Sequence, residues 1–135
     1  MSNPFERSAS DEKLLHDESI IEDLSQKLSG GAGLIAEERQ RQINIEKWTP
    51  EHDDEHVMGQ LAIAAACYAE VSSLTVRARR AGRYLSIPNE ILSRWPWSTK
   101  WWKPSSDPIR NLVKAGALIA AEIDRLQRLP AASSK

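Results

Sequence analysis

The sequence contains a single cysteine, which excludes an internal disulfide. Cys67 lies within an alanine-rich apolar segment, where a lone cysteine is typical of a small buried apolar residue. An excess of charge of either sign is also lacking, because 18 basic residues stand against 19 acidic ones and the formal net charge is −1. The whole chain therefore lacks the electrostatic footprint of a protein that binds nucleic acid or an anionic membrane. We expect neither a membrane nor a sequence-specific nucleic acid among its partners.

Long hydrophobic runs and known catalytic signatures are missing as well. The longest uncharged run ends near Tyr68 and is too short and too rich in alanine to span a bilayer. The N-terminus lacks the basic-then-apolar order of a secretory signal, so the sequence predicts a cytoplasmic protein. No P-loop, GxGxxG, GxSxG or spaced pair of nucleophile and base is recognisable. These patterns alone therefore assign no reaction.

The chain has 135 residues, of which 41% are hydrophobic and 27% are charged. This is the composition of a globular domain that is large enough to bury a hydrophobic core. Apolar residues recur at helical spacing, which predicts an all-α fold. We expect a small bundle of three main helices plus an N-terminal helical arm, with a Trp/Pro-rich loop packed over it. The predicted organisation is an arm over residues 1–29, a glycine-rich linker over 30–33, a helical core domain over 34–129 and a tail over 130–135.

The predicted helices have recognisable starts and stops. The arm helix covers residues 11–28, and three glycines within Gly30–Gly33 disfavour helix after it. A second helix covers residues 34–47. The last helix begins at Asp107-Pro108, an N-cap followed by proline, and ends at Leu129-Pro130. Its apolar residues recur at intervals of three and four: Ile109, Leu112, Gly116, Ile119, Ile123 and Leu126.

A group of acidic and imidazole side chains runs directly into the alanine-rich segment within Trp48–Tyr68. Thr49-Pro50 has the pattern of a helix start, with Thr as N-cap and Pro at the first helical position. The following segment is apolar on most of its circumference, which predicts a buried central helix that continues through Arg80 and ends near Gly82. Its polar head is then expected at the rim of the core, a suitable place for a site.

Four of the five tryptophans lie in the proline-bracketed stretch RWPWSTKWWKP. Prolines prevent this stretch from forming one long helix. We expect the indoles to cover the helices, with a stacking platform for a base or sugar as the alternative.

The candidate ligand-binding residues combine this polar head with one face of the second helix. Glu38, Arg41 and Gln42 share that face at spacings of three and four residues. Either the face is an ordinary solvated one, or it points at the acid and imidazole cluster. The full predicted set is Glu38, Arg41, Gln42, Trp48, His52, Asp53, Asp54 and His56.

A metal is not required by this pattern, but carboxylates are the ligands that Mg²⁺ prefers. Asp53 and Asp54 are the candidate metal ligands, with Glu38 as a third. A bound Mg²⁺ would support hydrolysis of a phosphoanhydride with His52 or His56 as general base. Because adjacent side chains diverge by about 100° on a helix, that mechanism predicts a helix that begins after Asp54 and not at Pro50.

The motif order ERQRQ, WTPEHDD, LAxAAxCYA, WPW, WWKP and LVKAGALIAAEI resembles a family of small bacteriophage and prophage proteins. The resemblance covers about residues 35–129. These proteins are similar in style to the all-α nucleotide pyrophosphohydrolases of the MazG type, which implies a helical, nucleotide-handling protein in a host cytoplasm. Two positions depart from the pattern, Lys47 where glycine is expected and Gln60 where glutamate is expected, and the paired helical carboxylate motifs of the MazG type are not recognisable.

Three functions follow as hypotheses. The first is a nucleotide or nucleotide-signal binder that counters a host defence, with phosphate donors from Arg41, Arg77 or Lys114 and an indole for the base. The second is an inhibitor that binds a host defence protein or enzyme complex through its acidic arm and tryptophans. The third is the Mg²⁺-dependent pyrophosphohydrolase. Alanine- and glycine-faced helices and the arm also predict a homodimer.

Overall fold

The computed structural model describes residues 8–130. The predicted terminal tail beyond Pro130 and most of the predicted loose N-terminal end lie outside these residues. Within them the structure is helical, as predicted: six α-helices and one 3₁₀ turn, with no strand in the described part of the chain. The elements are α1 (Ala9–Ser29), α2 (Gly31–Asn44), α3 (Pro50–Asp53), α4 (Gln60–Arg80), α5 (Asn89–Arg94), the 3₁₀ turn (Thr99–Trp101) and α6 (Pro108–Arg128).

The chain separates into two compact units, residues 1–34 and residues 35–135. The first unit contains α1, which is the predicted arm helix. Ile20, Ile21 and Leu24 are exposed on it, and Lys27 pairs with Asp23 at 3.2 Å. The side chains of Leu14, Leu15 and Leu28, which complete its predicted apolar stripe, lie outside the described part of the structure.

The prediction of a non-helical linker over residues 30–33 is wrong. Only Gly30 separates α1 from α2, and α2 begins at Gly31. Glycine costs about 1 kcal/mol per helical position relative to alanine. This cost at two positions is small against the gain from propagating the helix through the 14 residues of α2. The amide of Leu34 donates to the carbonyl of Gly30 at 3.0 Å, which continues the hydrogen-bond ladder across the glycines.

The second unit is built around the contact of α4 with α6, the most extensive between any two helices. Small side chains on both helices, among them Ala64, Ala65 and Ala121, are fully buried. The two axes can therefore approach closely. α6 begins as predicted, since the Asp107 carboxylate accepts from the amide of Ile109 and Pro108 follows as the first helical residue.

The central helix ends as predicted but begins later. α4 stops at Arg80, and Gly82 follows with a φ of 66°. At its start the chain forms the separate short helix α3, capped by the Thr49 hydroxyl, and then turns before α4. Gly59 makes that turn with a φ of 77°, a left-handed conformation in which an L side chain would be strained. The residues predicted as one polar helix head therefore lie partly on α3 and partly on a loop.

α4 is long and apolar enough by length and composition to cross a membrane, with a mean hydropathy of 1.2 over a stretch of 18 residues. The uncharged run that ends near Tyr68 is shorter than this helix. A core helix passes the same test, and eight residues of α4 are buried. One such helix is a weak indication of a membrane segment.

The tryptophan segment covers α4, as expected. Trp95 is buried and meets Tyr68 edge to face at 5.6 Å, while Trp102 lies 4.9 Å from the Tyr68 ring. The Trp95 indole donates to the carbonyl of Ser98 at 3.1 Å. Trp101 remains 45% exposed, so not every indole is used for covering.

Candidate functional site

The turn after α2 places Trp48 in the site. Lys47 has a φ of 64°, and the amide of Trp48 donates back to the carbonyl of Gln42 at 2.9 Å. This is the geometry in which helices commonly end on glycine. The glycine expected before Trp48 from the family resemblance would therefore fit this backbone without strain, whereas Lys47 adopts it as an L residue.

Glu38 is a buried carboxylate surrounded by donors. Arg41 contacts both of its oxygens at 2.8 and 3.0 Å, Arg110 of α6 contacts one at 2.8 Å, and the Gln42 amide donates at 3.1 Å. Burial alone raises the pKa of Glu38, but Arg41 and Arg110 outweigh it and hold the pKa below its ordinary value. The interpretation that Glu38 and Gln42 lie on an ordinary solvated face of the helix is therefore wrong, because the two residues are only 3% and 2% exposed.

Asp53 forms the second buried ion pair. The Arg39 guanidinium donates to its carboxylate at 2.7 Å and to the carbonyl of Trp48 at 3.3 Å. Burial raises the pKa of Asp53, and the charge and hydrogen bond of Arg39 offset this only in part. The face of α2 that reaches the acid cluster is thus the one that carries Arg39, next to the face that carries Glu38.

The imidazoles form a chain of rings with the tryptophan segment. His52 and His56 meet edge to face at 5.1 Å, and the His56 ring lies 4.9 Å from the Trp97 ring. Burial, together with the charge of His52, lowers the pKa of His56. Both effects favour the neutral imidazole of His56, which can accept a hydrogen bond.

Two adjoining cavities open between these groups. We call the first the aromatic cavity, of about 450 Å³, lined by Glu46, Lys47, Trp48, His52, Asp53, His56, Leu61, Trp97, Ser98 and Trp101. We call the second the cationic cavity, of about 190 Å³, lined by Glu38, Arg41, Gln42, Glu46, Trp48, Tyr68, Trp101, Lys103, Arg110, Lys114 and Leu118. Trp48, Trp101 and Glu46 line both, so one ligand could occupy both cavities.

Free positive charge in the cationic cavity comes from residues other than Arg41. The Nε and Nη2 atoms of Arg41 are bonded to Glu38, and its Nη1 atom is bonded to Glu46 at 3.0 Å. Lys114 donates to the carbonyl of Lys103 at 2.6 Å, and neither of these lysines forms an ion pair within residues 8–130. Burial, and then the charge of Arg110, lower the pKa of Lys114. An anion entering this cavity would therefore meet two lysines that have no counter-ion.

The predicted metal ligands do not share a site. Asp53 is bonded to Arg39, whereas Asp54 is exposed and accepts from Arg128 of α6 at 2.7 Å. Asp54 lines neither cavity. No group of three or more His, Cys, Asp or Glu side chains able to hold a metal occurs in residues 8–130. Because α3 begins at Pro50, the helix boundary required by the hydrolytic mechanism is also not found.

Seven of the eight predicted ligand-binding residues thus line one or other cavity, and Asp54 is the exception. Arg77, the alternative phosphate donor, is exposed on the last turn of α4 and lines neither. Sequence reasoning missed Arg39, Lys103 and Arg110. A pattern signal existed only for Arg39, which is next to Glu38 on α2, because the other two reach the site through the tertiary fold.

Comparison with protein-family models, with curated proteins and with solved structures finds no match for this chain.

Proposed function

We propose that the chain binds a nucleotide, or a nucleotide-derived signal, across the two cavities. The supporting observation is that a cavity walled by indoles and imidazoles adjoins one that contains uncompensated lysines, with Trp48 and Trp101 common to both. A base has an aromatic face that stacks on indole rings, and a phosphate needs charged donors. The adjacency of the two cavities matches the adjacency of those parts in a nucleotide.

On the phosphate side, Lys103, Lys114 and Arg110 are the proposed donors. Glu38 accepts from one guanidinium nitrogen of Arg110, so the other N–H groups of that guanidinium can donate to a ligand. The lining groups comprise four cations and two carboxylates: Arg41, Lys103, Arg110 and Lys114 against Glu38 and Glu46. A net charge of +2 favours an anionic group there. In this proposal Glu38, Arg41 and Gln42 position the donors.

Unpaired polar atoms in both cavities support the proposal. Within the described residues, three buried side-chain atoms lack a hydrogen-bond partner: Arg39 Nε, Gln42 Oε1 and Trp97 Nε1. Gln42 lines the cationic cavity and Trp97 the aromatic one. Leaving such groups unpaired costs free energy, and a ligand that donates to Gln42 Oε1 and accepts from Trp97 Nε1 would reduce that cost.

Calorimetric titration of the full chain against nucleoside mono-, di- and triphosphates and cyclic nucleotides tests the proposal. We expect at least one to bind, and Lys114→Gln to weaken its binding about 10-fold or more, since charge-assisted hydrogen bonds contribute about 1.5–3 kcal/mol. Arg83→Gln is the matched control, because Arg83 is exposed and lines neither cavity. A panel without binding, or equal weakening by both variants, would contradict the proposal.

We further propose, on the family resemblance alone, that this binding takes place in a host cytoplasm and antagonises a host defence by withholding its nucleotide signal. Mg²⁺ is not required in this proposal, although it can accompany a bound phosphate.

The inhibitor hypothesis has separate support from the exposed apolar side chains of α1. Ile20, Ile21 and Leu24 are 44%, 61% and 51% exposed, and acidic residues accompany them. A helix of this kind can lie in a groove of another protein. A chain without residues 1–29 distinguishes the two functions: the inhibitor hypothesis predicts loss of anti-defence activity, whereas the nucleotide hypothesis predicts unchanged nucleotide affinity.

A further inference from the structure

The apolar stripe that sequence periodicity marks on α6 faces outward. Ile109, Leu112, Ile119, Ile123 and Leu126 are between 48% and 62% exposed. The side of α6 that contacts the core carries Leu118 together with smaller and polar residues such as Ala115, Ala121 and Asn111. Apart from Leu118, the isoleucine and leucine side chains of this helix are therefore not used by the core.

The stripe has the spacing of a helix-pairing seam. With Gly116 included, its residues recur at three, four, three, four and three positions, which is the a and d pattern of a heptad repeat. Ile35 of α2 packs directly over Gly116, so at this position of the seam the apolar surface is that of the half-buried Ile35 side chain. Residues that flank the seam are mostly small or uncharged, such as Ala120 and Gln127, and the flanking acid Glu122 is paired with Arg125.

The exposed area is large for a monomer. Five isoleucine and leucine side chains at about half exposure present on the order of 500 Å² of apolar surface, which is the upper end for a monomeric protein. Burying that area on each of two copies removes on the order of 1,000 Å² from water, about the lower bound for a specific interface before any rim contacts are counted.

We propose that this stripe is the interface of a homodimer, in which the outer face of α6 packs against the same face of a second copy. A second copy is the favoured occupant because a heptad seam is complementary to itself and because few charges border it, so an isologous contact brings no block of like charges together. This inference is independent of the proposed nucleotide site, which lies in the two cavities.

Light scattering on a size-exclusion column tests it with the full chain at micromolar concentrations. The wild type is expected to have about twice the 15.1 kDa mass of one chain. Ile119→Glu with Ile123→Glu is expected to reduce the mass to that of one chain, because a charged seam would have to be desolvated to pair. Val76→Glu on α4, at 47% exposure against 48% for Ile119, is the matched control and is expected to remain dimeric.

Circular dichroism of the same three proteins separates dissociation from unfolding. Since the substituted side chains are half exposed, we expect unchanged helical content in the variants. The melting temperature should depend on concentration for the wild type and for Val76→Glu only. A monomeric wild type would assign the stripe to another protein or another segment and overturn the proposal. A dimer that survives the double substitution, or that is equally lost in Val76→Glu, would also overturn it.

Discussion

The two cavities differ in how each surrounds its buried carboxylate. The side chains of Glu38 and Asp53 are almost equally buried, at 1% and 2% exposure. Two arginines and an amide contact Glu38, whereas Arg39 is the cation that contacts Asp53. The pKa of Glu38 is lowered and that of Asp53 is raised. At equal burial, the number of hydrogen-bond donors around a carboxylate therefore decides whether its pKa is lowered or raised.

This difference assigns different tasks to the two carboxylates. Glu38 carries a negative charge that pairs with both Arg41 and Arg110. These two ion pairs fix the positions of the arginines in the wall of the cationic cavity. Asp53 pairs with Arg39 and so links it to α3 beside the aromatic cavity, but burial disfavours its charged form. We therefore expect substitutions at Glu38 to have larger effects than substitutions at Asp53.

The largest expected effect is that of Glu38→Gln on stability. The substitution leaves Arg41 and Arg110 without their shared counter-ion, and removing one partner of a buried pair costs about 3 kcal/mol or more. Both arginines are about one-third exposed, so solvent screens part of the loss. Urea denaturation at pH 7 should show a decrease of about 3 kcal/mol in the free energy of unfolding. Glu46→Gln, which removes an exposed partner of Arg41, should cost about 1 kcal/mol or less.

The pH dependence of this difference has a defined sign. Because the folded-state pKa of Glu38 is lowered, its contribution is complete above the ordinary pKa of 4.5 and is lost as pH falls through the folded value. The stability gap between wild type and Glu38→Gln should therefore narrow on acidification. A gap that widens below pH 4.5 would contradict the assignment.

The next effect concerns ligand affinity on the cationic side. Since burial and Arg110 lower the pKa of Lys114, this lysine loses its proton below its ordinary value of 10.5. Affinity for an anionic ligand should therefore begin to fall at a lower pH than for an exposed lysine, as the titrating Lys114 loses its positive charge. Titrations from neutral to alkaline pH should show this fall in the wild type. The Lys114→Gln variant should bind the ligand more weakly at every pH. Its affinity should also fall less on going to alkaline pH, because it has no Lys114 to deprotonate.

A smaller effect is expected for Asp53→Asn. The asparagine oxygen can still accept from Arg39, and the cost of burying a charge disappears, so stability should change by about 1 kcal/mol at pH 7. The raised folded pKa gives the opposite sign to Glu38: the contribution of Asp53 is present below its ordinary pKa of 3.8 and is lost as pH rises through the folded value. The stability of Asp53→Asn relative to wild type should therefore improve with rising pH. A loss as large as that in Glu38→Gln would remove the contrast between the two sites.

Local signals predicted much of the fold. The caps Thr49 and Asp107, the prolines after them and the stop at Gly82 all follow from short-range backbone chemistry, and the structure has them. The three glycines led to the wrong prediction of a linker over residues 30–33. The low helix propensity of glycine is a weak effect, and the helical residues that follow outweigh it. The turn at Gly59 that separates α3 from α4 was not predicted, because a single glycine in an apolar run does not by itself indicate a left-handed conformation.

The site was predictable only in its local part. Residues at spacings of three and four, such as Glu38 and Arg41, could be paired from the sequence. The separate arginine partners of Asp53 and Asp54 could not, because Arg39 and Arg128 reach them across 14 and 74 residues. The outward orientation of the α6 stripe was equally hidden, since periodicity defines a face without defining what covers it.

The smallest expected effect on stability separates two neighbouring tryptophans. Trp97 Nε1 is buried without a hydrogen-bond partner in the described residues, whereas Trp95 Nε1 donates to Ser98. Trp97→Phe therefore removes no hydrogen bond and should lower the free energy of unfolding by about 1 kcal/mol or less, whereas Trp95→Phe should lower it by about 2 kcal/mol. If a ligand in the aromatic cavity accepts from Trp97, its affinity should fall about 10-fold in Trp97→Phe and stay unchanged in Trp95→Phe. Thermal melts with and without ligand measure both quantities, and a larger loss of affinity in Trp95→Phe would place the base elsewhere.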